Sequence, residues 1–161
     1  MGYIKDIAGN NVLLCSLLGW MTAQALKYLI ESIKEKDFRI KKLLFTSGGM
    51  PSGHSAAVCS LCTSLARSEG MSSPLFATGV VIAFIVMRDA VGVCWAAGEQ
   101  ATALNNLKKQ LSEHEPLDIQ KELKENIGHR PLEVIIGALV GIAIGLIMPC
   151  KFIKPLADYS Y

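Results

Sequence analysis

Two histidines stand where apolar segments of the chain begin, and their surroundings differ in a chemically useful way. His54 follows the glycine-rich stretch GGMPSG, and His129 precedes Pro131 and a long apolar run. An imidazole titrates near neutral pH, so it can serve as a proton donor, a base or a nucleophile. The two histidines are therefore the first candidates for chemistry in this sequence.

The residues before His54 are those of an anion-binding site. Ser52 lies where a helix N-cap is expected, and Gly53 allows the backbone to approach a ligand closely. Free backbone N–H groups at a helix start attract phosphate groups. A bound anion would favour the imidazolium form of His54, which suits that residue to donate a proton to a leaving oxygen.

Glu133 lies one helical turn after His129. Its carboxylate could hold one ring nitrogen of His129 and leave the other nitrogen free to act as a nucleophile. A second interpretation is that Glu133 only interacts with the helix dipole in the first turn after Pro131. The sequence leaves both open, and the two histidines can meet only if the starts of their helices come together.

Three glycines recur at every fourth residue of the last apolar segment, at Gly137, Gly141 and Gly145. This spacing lets a neighbouring backbone approach closely along one stripe of the helix. The neighbour could belong to the same chain or to a second copy. A homo-oligomer formed through this row is therefore one expectation.

Four apolar segments must position these residues. Segments 11–30, 74–97 and 132–149 are each near the ~20 residues that a helix needs to cross a bilayer. Segment 54–67 has only 14 residues, which rise about 21 Å as a helix. It therefore extends into flanking residues, crosses a thinned layer or is buried inside the bundle.

The composition is that of a membrane protein, with 51% hydrophobic and only 19% charged residues. We predict one membrane-embedded domain over 1–161, an all-α bundle of about four apolar helices with an amphipathic connecting segment over 99–128. Ten of the lysines and arginines fall in the loops 32–53 and 98–130, against four on the other side. The positive-inside rule then predicts a multi-pass protein of the cell membrane with both loops in the cytoplasm.

Several classes of function are disfavoured. A net charge of +2 is too small to indicate nucleic-acid binding. The five cysteines are odd in number and lie in or beside apolar runs, so a disulfide framework is not expected. Cys59 and Cys62 form a C-x-x-C pair without a second ligand pair, so we expect neither a metal nor a cofactor.

Charged and polar residues interrupt two of the apolar segments. Arg88 and Asp89 are adjacent in the third segment, where they point about 100° apart and need separate partners. Gln24 and Lys27, one turn apart in the first segment, are possible partners. Asp89 could form a structural pair or support catalysis, and a transport path through Arg88 and Asp89 is a further alternative that leaves the histidines unexplained.

The motifs carry a resemblance to a known family. PSGH at 51–54 resembles the second signature of the type-2 phosphatidic acid phosphatase superfamily, and GHRPLEVIIGALVG at 128–141 resembles the third. Together with DAVGV and AAGEQATALN, these motifs resemble the divergent branch of that superfamily, described as acid phosphatase and vanadium-dependent haloperoxidase related. The likeness extends from about Gln24 to Gly145.

The resemblance implies phosphoryl transfer through a phosphohistidine. In that scheme His129 attacks phosphorus, Glu133 orients His129, and His54 protonates the leaving group. Ser52 and the Gly53 amide hold phosphate oxygens. The implied substrate is a lipid phosphate or pyrophosphate monoester, and no cofactor is required.

The chain departs from the superfamily in its cations. The first signature, K-x6-R-P, is absent, and Lys124 follows the position of an expected arginine. Arginines are also expected where this chain has Cys94 and Trp95. Lys27, Lys124 and Arg88 are the candidates to bind phosphate instead. The alternative is a weakly active or inactive protein that binds anionic lipid headgroups or a protein partner at the same site.

Overall fold

The computed structural model describes residues 7–35, 49–112, 123–125 and 127–149, and regular structure within these ranges is helical. The predicted all-α bundle is confirmed. The helices are α1 (Asn11–Glu35), α2 (Gly53–Ser68), α3 (Pro74–Val91), α4 (Val93–Ser112) and α5 (Pro131–Ile147).

The bundle distributes its apolar side chains in the way expected of a protein surrounded by lipid. Large apolar residues face outward, as at Phe84, which is 69% exposed, and at Leu139. The buried apolar residues are mostly small ones, such as Ala23 and Ala56. Helices in a membrane pack closely through small residues because lipid is as apolar as a leucine side chain. By length and composition, Asn11–Lys34 and Pro74–Leu111 are able to cross a membrane.

Helix α2 is the centre of the bundle and packs against α1, α3 and α5. This 16-residue helix contains the short 54–67 segment, and it buries small residues along much of its length. Ser60, for example, is fully buried and lies against Gly19 of α1. The segment therefore has a buried place in the bundle, and whether it crosses the whole bilayer stays a prediction.

The glycine row of α5 packs against α2 of the same chain. A side chain at Gly137 would collide with the backbone of Ser52, and one at Gly141 would collide with the backbone of Ala56. The two helices run parallel in constant register, since each step of four residues on one matches four on the other. This contact uses the row within one chain, and a homo-oligomer stays a prediction.

A break at Gly92 divides the third apolar segment, which the sequence presents as continuous over 74–97. Helix α3 ends at Val91, and Gly92 takes φ −96° and ψ −84° before α4 begins at Val93. The predicted amphipathic connecting segment corresponds to α4 as far as Ser112. Its apolar positions Leu104 and Leu107 are exposed.

Arg67 closes the end of the bundle opposite the histidines. Its guanidinium donates hydrogen bonds of 2.7 Å to the Gly145 carbonyl and 2.6 Å to the Met148 carbonyl. These carbonyls belong to the last turn of α5, where helical partners run out. Arg67 thereby links the end of α2 to the end of α5.

We expect Arg67→Ala to destabilise the bundle by about 1–3 kcal/mol, because the α5 carbonyls lose charged hydrogen-bond donors. The measurement is the melting temperature of the purified protein in detergent. Arg67→Lys should fall between Arg67→Ala and the wild type, since lysine keeps the charge without the planar fork. Lys34→Ala, which removes an exposed cation, is the control. An Arg67→Ala protein with the same melting temperature as Lys34→Ala would contradict the prediction.

Candidate active site

His129 is held by Glu133 at the start of α5. The His129 Nδ1 and Glu133 Oε2 atoms are 3.1 Å apart, and the same carboxylate oxygen accepts a hydrogen bond from the Arg130 backbone N–H at 3.3 Å. A neutral His129 with its proton on Nδ1 donates to Glu133 and leaves Nε2 unprotonated. Glu133 thus fills both roles considered for it, as a residue of the first turn and as the partner of His129.

The environment keeps His129 unprotonated at neutral pH. The residue is only 4% exposed, and this burial lowers the pKa of its imidazole from the ordinary value of 6.5. The charge of Lys27 and the neighbouring His54 also lower the pKa, whereas the hydrogen bond to Glu133 raises it. Burial has the largest effect, so the neutral form of the His129 imidazole is favoured over the charged form.

The second histidine faces the first. The ring centroids of His54 and His129 are 5.9 Å apart, and their planes meet at 69°. His54 lies in the first turn of α2 and is exposed. One small group can therefore contact both the buried His129 ring and the exposed His54 ring.

Two hydrogen bonds around Ser52 bring the histidines together. The Ser52 backbone N–H donates to the Glu133 carbonyl at 3.0 Å, which joins the start of α2 to the start of α5. The Ser52 hydroxyl caps α2 by accepting from the Ser55 N–H at 3.4 Å. Glycine at 137 permits this approach, because a side chain there would lie against the Ser52 backbone.

The two rings open into a cavity of about 450 Å³ between α1, α2, α3 and the residues before α5. Its wall includes six residues that the sequence singled out: Gln24, Lys27, Gly53, His54, Asp89 and His129. The rest of the wall is mainly apolar: Trp20, Ile85, Val86, Ala90, Cys94, Ile127 and Gly128. This volume is in the range of small-molecule sites.

A family model described as the divergent PAP2 family matches residues 8–144. The chain belongs to the divergent PAP2 family. An uncharacterized membrane protein of Bacillus subtilis (strain 168), YuiD, is 39% identical over 157 residues, which cover 91% of this chain and 99% of that protein. No solved structure matches the chain significantly. The resemblance drawn from the histidine motifs is confirmed as far as the family.

In this member of the divergent PAP2 family, Lys27 supplies a positive charge at the cavity. It comes from α1, is only 4% exposed and lies within electrostatic reach of both Glu31 and Glu133. The ammonium group of Lys27 is thus buried at the same cavity as His129. An anion in the cavity would therefore meet a positive charge that is already desolvated.

Trp20 is a cavity residue that reasoning from the sequence missed. A side chain at Gly53 would lie 3.3 Å from Cδ1 of the Trp20 indole, so the ring covers the start of α2. Trp20, Gln24 and Lys27 follow one another at spacings of four and three residues, which place them on one face of a helix. That spacing is the signal in the sequence that could have identified Trp20.

Three of the predicted phosphate-binding residues are not brought to this cavity. Arg88 instead lines a neighbouring cavity of about 370 Å³, and Ile85 and Asp89 line both cavities. Lys124 is exposed and is not among the described residues of the cavity wall. The Ser52 hydroxyl is fully buried in the helix cap. For these residues phosphate binding stays a prediction.

Proposed function

We propose that this protein hydrolyses a lipid phosphate or pyrophosphate monoester through a phosphohistidine formed on His129. The observation that carries the proposal is that His54 and His129 line one cavity with their ring centroids 5.9 Å apart, and that Glu133 contacts His129 at 3.1 Å. A site that only binds anions has little use for a buried, neutral histidine fixed by a carboxylate.

The first step forms a bond between His129 Nε2 and phosphorus and breaks the bond between phosphorus and the ester oxygen. His54 donates a proton to that leaving oxygen, so the alcohol departs neutral. In the second step His54 accepts a proton from water as the water oxygen attacks phosphorus. The P–N bond breaks, His129 is restored and orthophosphate leaves.

The remaining residues position the phosphate and its apolar substituent. Lys27 and the Gly53 N–H at the start of α2 offer positive potential to the phosphate oxygens. The apolar wall around Trp20 and Ile85 suits the part of the ester next to phosphate. The related B. subtilis chain is called a membrane protein, and the charge bias of the loops favours a multi-pass protein whose site faces the cytoplasm.

We expect protonation of His129 to slow phosphate release only below pH 6.5. Because the pKa of His129 is lowered from its ordinary value of 6.5, most His129 side chains are still unprotonated at pH 6.5. Below the lowered pKa, protonation removes the attacking lone pair, and kcat/KM then falls about tenfold per pH unit. The measurement is kcat/KM for phosphate monoesters against pH with purified protein in detergent.

Glu133→Gln serves as the comparison in that experiment. Glutamine can still accept the hydrogen bond but lacks the negative charge that helps to raise the pKa of His129, so the acid limb should move to still lower pH while the maximal kcat/KM falls. An acid limb at or above pH 6.5 in the wild type contradicts the assigned state of His129. Absence of phosphate release at every pH contradicts the hydrolase itself.

One observation favours the second candidate function, binding without turnover. Lys27 is the lysine or arginine that lines the cavity within the described ranges, whereas Arg88 and Lys124 lie elsewhere. Phosphoryl transfer needs extensive charge neutralisation, and binding an anionic headgroup needs less. If the protein only binds anions, the wild type and His129→Gln should bind inorganic phosphate with equal affinity, and neither should release phosphate from an ester.

A further inference from the structure

A buried amide on α4 binds the segment that leads to His129, of which the structure describes residues 123–125, 127 and 128. Asn105 is only 5% exposed, and its Nδ2 group donates to the Leu123 carbonyl at 2.9 Å and to Glu125 Oε1 at 2.8 Å. Its Oδ1 atom accepts from the Leu123 backbone N–H at 3.0 Å. One side chain therefore binds both the N–H and the C=O of a single residue, as a paired strand would.

The same segment contacts the start of α4 closer to the histidine. A side chain at Gly98 would lie 2.6 Å from the Glu125 carbonyl and 2.7 Å from the Ile127 carbonyl, so only glycine admits the segment there. Gly128 has φ +91° and lies against the backbone of Cys94 and Trp95.

The segment ends at the histidine itself, whose backbone is tied to α3. The His129 N–H donates to the Ala90 carbonyl at 3.0 Å. Asn105 therefore fixes the segment at Leu123, and the Ala90 carbonyl fixes it at His129. Between them, the contacts at Gly98 and Gly128 keep the segment against α4.

We propose that Asn105 is a positioning residue that sets the register of this segment and thereby the position of the His129 imidazole in the cavity. The catalytic part of the proposal rests on the proposed function. Because Asn105 binds both polar groups of Leu123, the segment cannot slip along α4 by one residue, a shift of about 3.5 Å, without losing these bonds. A displacement of about 1 Å at a reacting group is already costly to catalysis.

The pKa of the His129 imidazole is a measure of its position, because the groups that act on it belong to several different helices. Glu133 of α5 faces it as a hydrogen-bond partner, Lys27 of α1 and His54 of α2 act on it electrostatically, and Asp89 of α3 shares the cavity wall. Movement of His129 out of its buried position would relieve the desolvation that lowers its pKa.

The test compares Asn105→Ala with Asn106→Ala, its exposed neighbour on α4. Both substitutions favour helix, so differences between them come from the contacts of Asn105. The first measurement is the pH dependence of diethyl pyrocarbonate modification of His129, followed by mass spectrometry of the peptide that carries it. The second is kcat and KM for phosphate release.

We expect Asn105→Ala to move the His129 titration towards pH 6.5 and to lower kcat by about tenfold or more with a smaller change in KM. Asn106→Ala should match the wild type. Asn105→Gln, which keeps the amide but adds a methylene, should lie between the wild type and Asn105→Ala.

Folded Asn105→Ala protein with the wild-type His129 titration overturns the proposal. If no protein releases phosphate, including the wild type, the proposed function fails and the His129 titration alone decides the role of Asn105. If Asn105→Ala is not recovered folded, the same titration on Asn105→Gln decides, and an unchanged profile then counts against the proposal.

Discussion

Replacing His129 with glutamine should lower kcat for phosphate release by about 10³-fold or more, because the substitution removes the atom that forms the bond to phosphorus in the proposed mechanism. Glutamine retains polarity and can still hydrogen-bond to Glu133, which lies 3.1 Å from the imidazole in the native protein. The loss would therefore reflect missing nucleophilicity more than a disturbed fold. The measurement is steady-state release of inorganic phosphate from monoesters in detergent.

A covalent intermediate gives this prediction its sharpest readout. Wild-type protein mixed with a phosphate-labelled substrate and quenched in alkali should retain label on the peptide that contains His129, since a phosphohistidine survives alkali and hydrolyses in acid. His129→Gln should retain none. Label that persists in His129→Gln would assign the nucleophile to another residue.

Two further variants separate the nucleophile from the proton donor. His114→Gln makes the same substitution at a histidine outside the described residues, and it should leave both turnover and labelling unchanged. His54→Gln should label slowly from alkyl phosphates but nearly normally from nitrophenyl phosphate, whose leaving oxygen needs no proton. Equal slowing with both classes of ester would argue against His54 as the general acid.

The second large effect is expected at Gly141, where one methyl group should destabilise the bundle. A Cβ there would collide with the Ala56 carbonyl and lie 2.9 Å from the Ala56 Cα atom. These are backbone atoms, so no side-chain rotation relieves the contact, and α2 and α5 must separate. Overpacking of this kind costs about 1–3 kcal/mol, against a gain of about 1 kcal/mol from replacing glycine in a helix, so we expect a net destabilisation of up to about 2 kcal/mol.

The separation should also reduce activity, because α2 and α5 carry the two histidines. The hydrogen bond from the Ser52 N–H to the Glu133 carbonyl and the 5.9 Å spacing of the rings both depend on the distance between these helices. We therefore expect Gly141→Ala to melt at a lower temperature in detergent and to lose most phosphate release. Ala143→Val adds bulk on the exposed side of α5 and should do neither. A Gly141→Ala protein at least as stable and active as the wild type would contradict the packing described for the two helices.

Relationships within one helical turn were predictable from the sequence. The glycine row of α5 faces a close neighbour because its period matches the helix. The contact of Glu133 with His129 was one of two interpretations, because His129 lies just before the helix that begins at Pro131. The helical bundle and the family followed from apolar periodicity and from the motifs around the two histidines.

Relationships between distant parts of the chain were not predictable in the same way. Gly92 occurs within an apolar run that reads as one helix, yet the helix breaks there, and Gly128 lies against the backbone just after the break. Arg88 and Lys124 carry suitable charges, yet it is Lys27 that lines the cavity. Local sequence reports charge but not the direction in which a side chain faces.

By itself, then, the sequence determined the helical class and the family, because these depend on composition and on motifs. Tertiary structure decided the rest. The parallel contact of α2 and α5 brings His54 to His129, α1 contributes Trp20 and Lys27, and Asn105 of α4 binds Leu123 in the segment before His129. These contacts join residues tens of positions apart, and they depend on which surfaces pack together.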